Sequence, residues 1–143
     1  MKSLITSLAI VLVLVASATA QNEVTEFQAF WDQFRSAVQQ NDKARIAALT
    51  SFPFTTRGPF DRDPTINHSR AWFLEKIDGL LAQKHYRYKG PKMEPFTMRQ
   101  LIEEKTTISA KDFNGGNSRV WVEDFVFEKR RGRWSFAFAY TEK

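Results

Sequence analysis

The sequence predicts an α+β fold in a single domain, with N-terminal helices packed on a curved antiparallel β-sheet. Apolar residues recur at helical spacing through the first two thirds of the chain. The last third changes to two runs rich in Val, Phe, Trp and Tyr, a composition typical of strands. No internal repeat, low-complexity tract or long linker separates the two regions, so we expect them to share one core.

The first twenty residues have the pattern of a secretory signal peptide. Lys2 supplies a positive start, Leu4 to Ala16 form an uncharged apolar run, and Ala18-Thr19-Ala20 has the small-x-small spacing of a cleavage site. The apolar run is shorter than the roughly 20 residues that a membrane-spanning helix needs. We therefore expect a signal peptide over 1–20 and a secreted or periplasmic domain over 21–143, with no stable membrane insertion after cleavage. The alternative is an uncleaved N-terminal anchor.

The first two helices are predicted from capping residues and apolar spacing. Thr25 and Gln28 have the spacing of a capping box that begins the first helix. An aromatic stripe follows at helical intervals and indicates a helix laid against a sheet: Phe27, Phe30, Trp31, Phe34 and Val38. Asp42 is the expected N-cap of a second, short helix with Ile46 and Leu49 on its apolar face.

The segment "SFPFTTRGPFDRDP", residues 51–64, is either a reactive loop or the connection from helix to sheet. Pro53 cannot lie inside a helix, so the helix is expected to end there and an extended segment to begin at Phe54. Gly58-Pro59 and Asp63-Pro64 then predict two changes of chain direction. We favour the connection, with the phenylalanines inward and the charges at the rim.

Two further helices are predicted before the terminal strands. Asn67 or Ser69 can cap the third, whose inward residues are Phe73, Ile77, Leu80 and Leu81. Thr97 and Gln100 form a capping box for the fourth. Between them "QKHYRYKGPKMEP" is expected to be loosely ordered, although its alternating tyrosines predict a strand in part of it.

The terminal segments "SRVWVEDFVFEK" and "RWSFAFAYT" predict a hairpin. A three-residue loop, Arg130 to Gly132, would place Lys129 opposite Arg133, whereas a slip of one residue would place Phe127 opposite Trp134. Both faces of the hairpin are apolar in either register. We therefore expect helices on one face and a partner subunit, or other segments of the chain, on the other.

The segments "FQAFWDQFRSAVQQNDKARIAALTSFPF" and "VWVEDFVFEKRRGRWSFAFAY" resemble the nuclear-transport-factor-2-like superfamily. The resemblance implies a cone of helices wrapped by a sheet, with a functional site in the open mouth of the cone. Members include isomerases, dehydratases, cyclases, ligand-binding domains and dimerisation modules, so the fold does not choose the activity.

Three titratable residues are the candidates for catalysis. Asp61 and His68 lie in one short span, where a carboxylate can orient a histidine as a general base. Glu123 lies with Asp124 in an apolar run, where burial would raise its pKa. The alternatives are structural: the aspartates accept hydrogen bonds from turn amides, and the strand carboxylates pair with an arginine such as Arg57 or Arg70.

The remaining patterns favour binding over catalysis. Candidate ligand-binding residues are Trp31, Arg57, Trp72 and Trp134. Two histidines, no cysteine and no ligand spacing argue against a metal, and no cofactor motif occurs. We expect an exported, non-catalytic domain that binds a small apolar or amphiphilic ligand in its cone, or pairs as a homodimer through its sheet. One alternative is a small isomerase- or dehydratase-type enzyme.

A further alternative is a basic envelope-associated module, since the formal net charge is +5. The densest cationic cluster is expected at the tip of the terminal hairpin and comprises Lys129, Arg130, Arg131 and Arg133. Nucleic-acid binding is not expected, because the chain has a predicted export signal and no basic helix.

Overall fold

A computed structural model describes residues 3–114 and 116–142 and confirms the α+β class in a single domain. The described helices are α1 (Ser3–Gln39), α2 (Lys43–Ala48), α3 (Arg70–Leu81) and α4 (Met98–Glu104), with a 3-10 turn at Ala110–Asp112. The strands are β1 (Thr50–Arg57), β2 (Thr65–His68), β3 (Lys84–Lys89), β4 (Lys92–Thr97), β5 (Arg119–Val122), β6 (Phe125–Arg130) and β7 (Arg133–Tyr140).

Five of these strands form one sheet, in the order β2-β1-β7-β6-β5, and β3 and β4 form a separate hairpin. The pairings in the five-stranded sheet are antiparallel except that of β1 with β7, which is parallel. The sheet is therefore mixed. Side chains from α1 and α3 pack on one face of it, which we call the inner face, and the opposite face is the outer face.

The aromatic stripe of α1 is buried on the inner face, as its spacing predicts. Phe27, Trp31 and Phe34 have no exposed surface. The predicted capping box at Thr25 is wrong, because the helix is already established there: the Thr25 hydroxyl donates to the carbonyl of Gln21. Gln28 instead contacts the backbone of the segment that follows α4, accepting from the Ile108 amide at 2.7 Å.

The signal peptide remains a prediction. Met1 and Lys2, and the side chains before Thr19, lie outside the described residues. In the part of the chain that the structure describes, no helix combines the length and apolar character needed to cross a bilayer.

The other helix starts are confirmed by their side-chain caps. Asp42 accepts from the amide of Arg45 and begins α2. Ser69, and not Asn67, caps α3, because Asn67 belongs to strand β2. Thr97 forms the predicted capping box at the start of α4. The four inward residues predicted for α3 are all buried.

Two arginines link the C-terminal part of α1 to both ends of α4. Arg35 on α1 donates from Nε to the Ile102 carbonyl (2.9 Å) and from Nη2 to the Glu103 carbonyl (2.6 Å). Arg99 on α4 donates to the Val38 carbonyl near the end of α1 at 2.7 Å. Each helix thus satisfies carbonyl groups that the other leaves without intrahelical partners. The exchange fixes how the two helices cross.

The segment 51–64 is the predicted connection, but its details differ. The strand begins at Thr50, before Pro53, and the Phe52–Pro53 peptide bond is cis. Asp63 accepts from the Phe60 amide at 2.9 Å, which closes the turn after β1. The expectation that all its phenylalanines point inward is wrong, because the Phe60 side chain is 52% exposed.

The predicted register of the terminal hairpin is also wrong. The loop has two residues, Arg131 and Gly132, both at positive φ (52° and 74°), which matches the twist of a tight hairpin. Phe127 pairs with Phe136, and a bulge beside Phe127 places Val126 opposite Phe138. The bulge was not visible in the alternation of the sequence, because both faces of these strands are apolar.

The expected single strand through Glu123 and Asp124 is divided by a turn. Glu123 has a φ of 49°, and β5 pairs with β6 on either side of it. This turn places Val122 and Phe125 together on the inner face. It also removes Glu123 from the apolar environment on which its candidacy as a proton donor depended.

Aromatic rings fill the space between the helices and the sheet. Phe127 lies at the centre, with its ring centroid between 5.1 and 5.8 Å from five others. Those five are Phe27, Phe30, Trp31, Phe34 and Phe136. The position at which the resemblance implies an open cone is therefore occupied by side chains of the chain itself.

Candidate functional site

The three predicted catalytic residues lie in separate environments. Asp61 is exposed in the turn after β1 and pairs with Arg57 at 3.1 Å. Glu123 is exposed in the turn between β5 and β6. His68 lies at the end of β2, opposite Phe54 of β1. Neither carboxylate is bonded to the imidazole, so the structure does not assemble the predicted acid–base set.

The contacts of His68 are those of a residue that supports the fold. Its Nε2 shares a hydrogen bond of 2.7 Å with the Thr56 hydroxyl, and its ring is stacked on that of Trp72 at 3.5 Å. Desolvation by burial lowers the pKa of His68. The neutral imidazole is therefore the form that the fold favours, and Trp72 covers it.

This environment predicts an acid-sensitive contribution to stability. Because the folded-state pKa of His68 is lowered, its contribution is present above the unfolded-state pKa and is lost as the pH falls through the folded value. For His68→Gln, we expect the free energy of unfolding to fall less steeply from about pH 7 to about pH 5 than in the wild type. Denaturant titrations at each pH measure this slope. Asn67→Gln, on the opposite face of β2, should leave the slope unchanged, and equal slopes for His68→Gln and wild type would contradict the interpretation.

A second histidine–carboxylate pair was not predicted. His85 Nε2 on β3 lies 3.2 Å from Asp124 Oδ2 in the turn before β6. The geometry is that of an electrostatic contact, since Nε2 has no hydrogen-bond partner among the described atoms. Burial raises the pKa of Asp124, and the neighbouring His85 opposes that shift. The pair joins the β3–β4 hairpin to the sheet. It corrects the expectation that the strand carboxylates pair with an arginine.

The candidate tryptophans belong mostly to the core. Trp31 is fully buried and donates from its indole to the Lys105 carbonyl at 2.7 Å. Trp134 packs edge-on against Phe27 at 4.7 Å. Trp72 covers His68. The fourth candidate, Arg57, differs from them, because it lies on the outer face of the sheet at a surface concavity.

We call this concavity the outer groove. Its volume is about 160 Å³, and it is open to solvent along the outer face of the sheet. Its floor is apolar, with Trp121, Val126, Phe138 and Tyr140 contributed by β5, β6 and β7. Its remaining walls are polar and comprise Arg57, Thr65, Arg119 and Glu128. The Trp121 and Tyr140 rings are in contact on this floor, tilted at 38° with their centroids 5.7 Å apart.

The charged side chains of the outer groove differ in their ion-pair partners. Glu128 is bonded to Arg119 at 2.6 Å and to Arg130 at 2.5 Å. Arg57 donates from Nη2 to the exposed carboxylate of Asp61 and to the Phe60 carbonyl, and its Nε is buried without an acceptor among the described atoms. The indole Nε1 of Trp121 is likewise buried without a partner. Such donors are uncommon in folded proteins, and each costs about 1–3 kcal/mol.

The basic cluster at the terminal hairpin is partly neutralised. Lys129 bonds to Glu23 at 3.0 Å and to Glu26 at 2.5 Å on α1, and these contacts raise its pKa. Arg130 is held by Glu128. Arg131 and Arg133 extend into solvent. Within residues 3–114 and 116–142, no group of three or more potential metal ligands is present.

Sequence reasoning found one residue of the outer groove, Arg57, and missed its apolar floor. Trp121 and Tyr140 are far apart in sequence and meet only because β5, β6 and β7 are neighbours. Comparisons with known protein families, with curated proteins and with solved structures find no match to this chain. The class of protein that the fold defines is a single α+β domain with an uncovered sheet face.

Proposed function

We propose that the chain is an exported, non-catalytic binding domain that takes a small amphiphilic anion in the outer groove. The observation that carries this proposal is the pair of buried, unpartnered N–H donors, Arg57 Nε and Trp121 Nε1, at a concavity with an aromatic floor. A carboxylate bound there would supply the acceptors that the chain lacks.

The size of the groove favours a ligand with one ring or a short alkyl group. A cavity of about 150 Å³ lined by apolar side chains accommodates a benzene ring, and the outer groove has about 160 Å³. Trp121, Phe138 and Tyr140 offer ring faces and edges for an apolar body. Both donors are covered by neighbouring side chains, so binding would require the half-buried rings at the mouth to rotate.

Charge supports an anion over a cation. Glu128, the carboxylate among the lining residues, is already bonded to two arginines, whereas the carboxylate paired with Arg57, Asp61, is exposed to solvent. An incoming carboxylate can replace Asp61 and accept from a guanidinium in the bidentate geometry that arginine favours.

Titration with phenylacetate tests the proposal. In ¹H,¹⁵N spectra, we expect saturable shifts of the indole Nε1–H of Trp121, and at least roughly tenfold weaker binding of the uncharged analogue phenylacetamide. Arg57→Met should weaken phenylacetate binding by a similar factor. The matched control is Arg45→Met, on the exposed face of α2. Linear, non-saturating shifts, or equal affinity in Arg57→Met, would overturn the assignment.

Pairing of two copies through the outer face is the second candidate. The apolar floor is continuous across β5, β6 and β7, and the described helices pack on the other face. Burying such a floor against a second copy would remove it from water. Light scattering should then give a dimer for wild type and a monomer for Trp121→Glu, with Tyr88→Glu, at an exposed tyrosine, as control. A monomeric wild type at high concentration would exclude this candidate.

Export is the remaining part of the proposal and has its own test. It is supported by the short apolar run and by Ala18-Thr19-Ala20. N-terminal sequencing of the protein recovered outside the cytoplasm of its host should begin at Gln21. A protein that retains Met1, or that fractionates with membranes after high-salt washing, would support the uncleaved anchor.

A further inference from the structure

The β3–β4 hairpin has one face that the rest of the chain leaves bare. Cross-strand pairs place Tyr86 beside Pro95 and Tyr88 beside Met93, so these four side chains share a face. Tyr86, Tyr88 and Met93 are 64%, 75% and 55% exposed. They are among the most exposed large apolar side chains of the described chain, and they are neighbours. We call this surface the tyrosine face.

The opposite face holds the hairpin to the domain. Phe96 is buried there, Arg87 forms a two-point contact with Glu104 at 2.6 and 3.2 Å, and His85 lies against Asp124. The Arg87 guanidinium also covers the Phe96 ring at 5.1 Å. These anchors on α4 and on the sheet hold the hairpin so that the tyrosine face points away from the domain.

Exposed lysines lie at both ends of the hairpin. Lys84 begins β3 on the tyrosine face, whereas Lys89 and Lys92 pair beside the turn, on the opposite face. All three are exposed. Lys89 lies 3.7 Å from Glu94, and its charge also acts on Glu104 of α4. Lys84 and Lys92 form no ion pair with a carboxylate among the described residues. The tyrosine face is therefore apolar with one lysine on it, and two further lysines lie beside it at the turn of the hairpin.

We propose that the tyrosine face docks the protein on an anionic lipid bilayer. Tyrosine rings have an apolar body and a polar tip, and they concentrate at the level of the lipid headgroups. Met93 and Pro95 have no polar group to satisfy and add apolar area beside them, while the lysines attract anionic headgroups. The contact is peripheral, since the hairpin presents only four apolar side chains. A soluble polyanion would use the lysines but would leave the exposed methionine and proline without a role.

Co-sedimentation with lipid vesicles tests the proposal with the full mature chain. We expect binding to vesicles of phosphatidylcholine with phosphatidylglycerol, weaker binding to phosphatidylcholine alone, and a decrease as salt screens the lysines. Tyr86→Ser/Tyr88→Ser and Lys84→Gln/Lys92→Gln should each reduce the partition coefficient at least roughly tenfold. These side chains are exposed, and circular dichroism with thermal unfolding checks that the variants keep the fold.

The matched control is Arg131→Gln/Arg133→Gln at the tip of the terminal hairpin, which removes two exposed cations from a different surface. It should leave vesicle binding unchanged. Three outcomes would overturn the proposal: no binding to anionic vesicles, equal binding by the Tyr86→Ser/Tyr88→Ser variant, or loss of binding in the control. Retention on immobilised dextran sulfate, without binding to vesicles, would assign the surface to a polyanion instead. None of these outcomes depends on the outer groove.

Discussion

Replacing Phe127 with alanine is expected to lower the free energy of unfolding by about 3–5 kcal/mol, the range for large-to-small changes at fully buried aromatic positions. Phe127 has no exposed surface, and its ring touches four aromatic side chains of α1 as well as Phe136 on the neighbouring strand. Its removal leaves a cavity that rings held by a helix and a sheet cannot readily fill.

Urea titration followed by tryptophan fluorescence measures the loss. The matched control is Phe60→Ala, which removes the same atoms from a half-exposed ring and should change the free energy of unfolding by less than about 1 kcal/mol. A loss at Phe127 no larger than at Phe60 would show that the rings around Phe127 repack. It would also contradict the view that this interior is fixed by close packing.

The filled interior separates this chain from what the resemblance implies. An open cone requires small side chains where the sheet faces the helices, whereas the inner face of this sheet carries four buried phenylalanines: Phe54, Phe125, Phe127 and Phe136. The stripe of α1 contacts Phe127 and Phe136, and Phe125 packs against Phe136. The abundance of phenylalanine was visible in the composition. That it closes the cavity follows only from the strand register, which brings Phe127 opposite Phe136.

The helical part of the fold was predictable because its signals are local. The spacing of Phe73 and Ile77 defines one face of α3 with no knowledge of its neighbours, and the Ser69 and Thr97 caps bond within three residues. The capping box predicted at Thr25 is wrong for a non-local reason. The residues before Thr25 are already helical, so no helix begins there.

The strands and the site were less predictable because their determinants are not local. The turn at Glu123 needs a non-glycine residue at positive φ, which the sequence gives no reason to expect. His85 meets Asp124 only because the β3–β4 hairpin returns to the sheet. The outer groove combines residues of β1, β5 and β7, so no spacing along the chain could indicate it.

The second large effect is expected for Arg35→Met, which should lower the free energy of unfolding by about 2–3 kcal/mol, since hydrogen bonds from charged donors contribute roughly 1.5–3 kcal/mol. The variant keeps the apolar stem of the side chain and removes both donors to the carbonyls of Ile102 and Glu103. Helix α4 has no basic residue in its last turn, so the Arg35 guanidinium adds positive charge at its negative end, beside the C-cap residue Lys105.

The loss of stability should depend on the two N–H donors of the planar guanidinium and not on its charge alone. Arg35→Lys keeps the charge but cannot reach two carbonyls from one planar group, so it should recover less than half of the lost free energy. Arg45→Met, on the exposed side of α2, removes the same charge without a comparable contact and should be near neutral. Equal stability of Arg35→Lys and wild type would show that charge alone matters at this helix end. If Arg35→Met were neutral, the interlocking of α1 and α4 by reciprocal capping would contribute nothing to the fold.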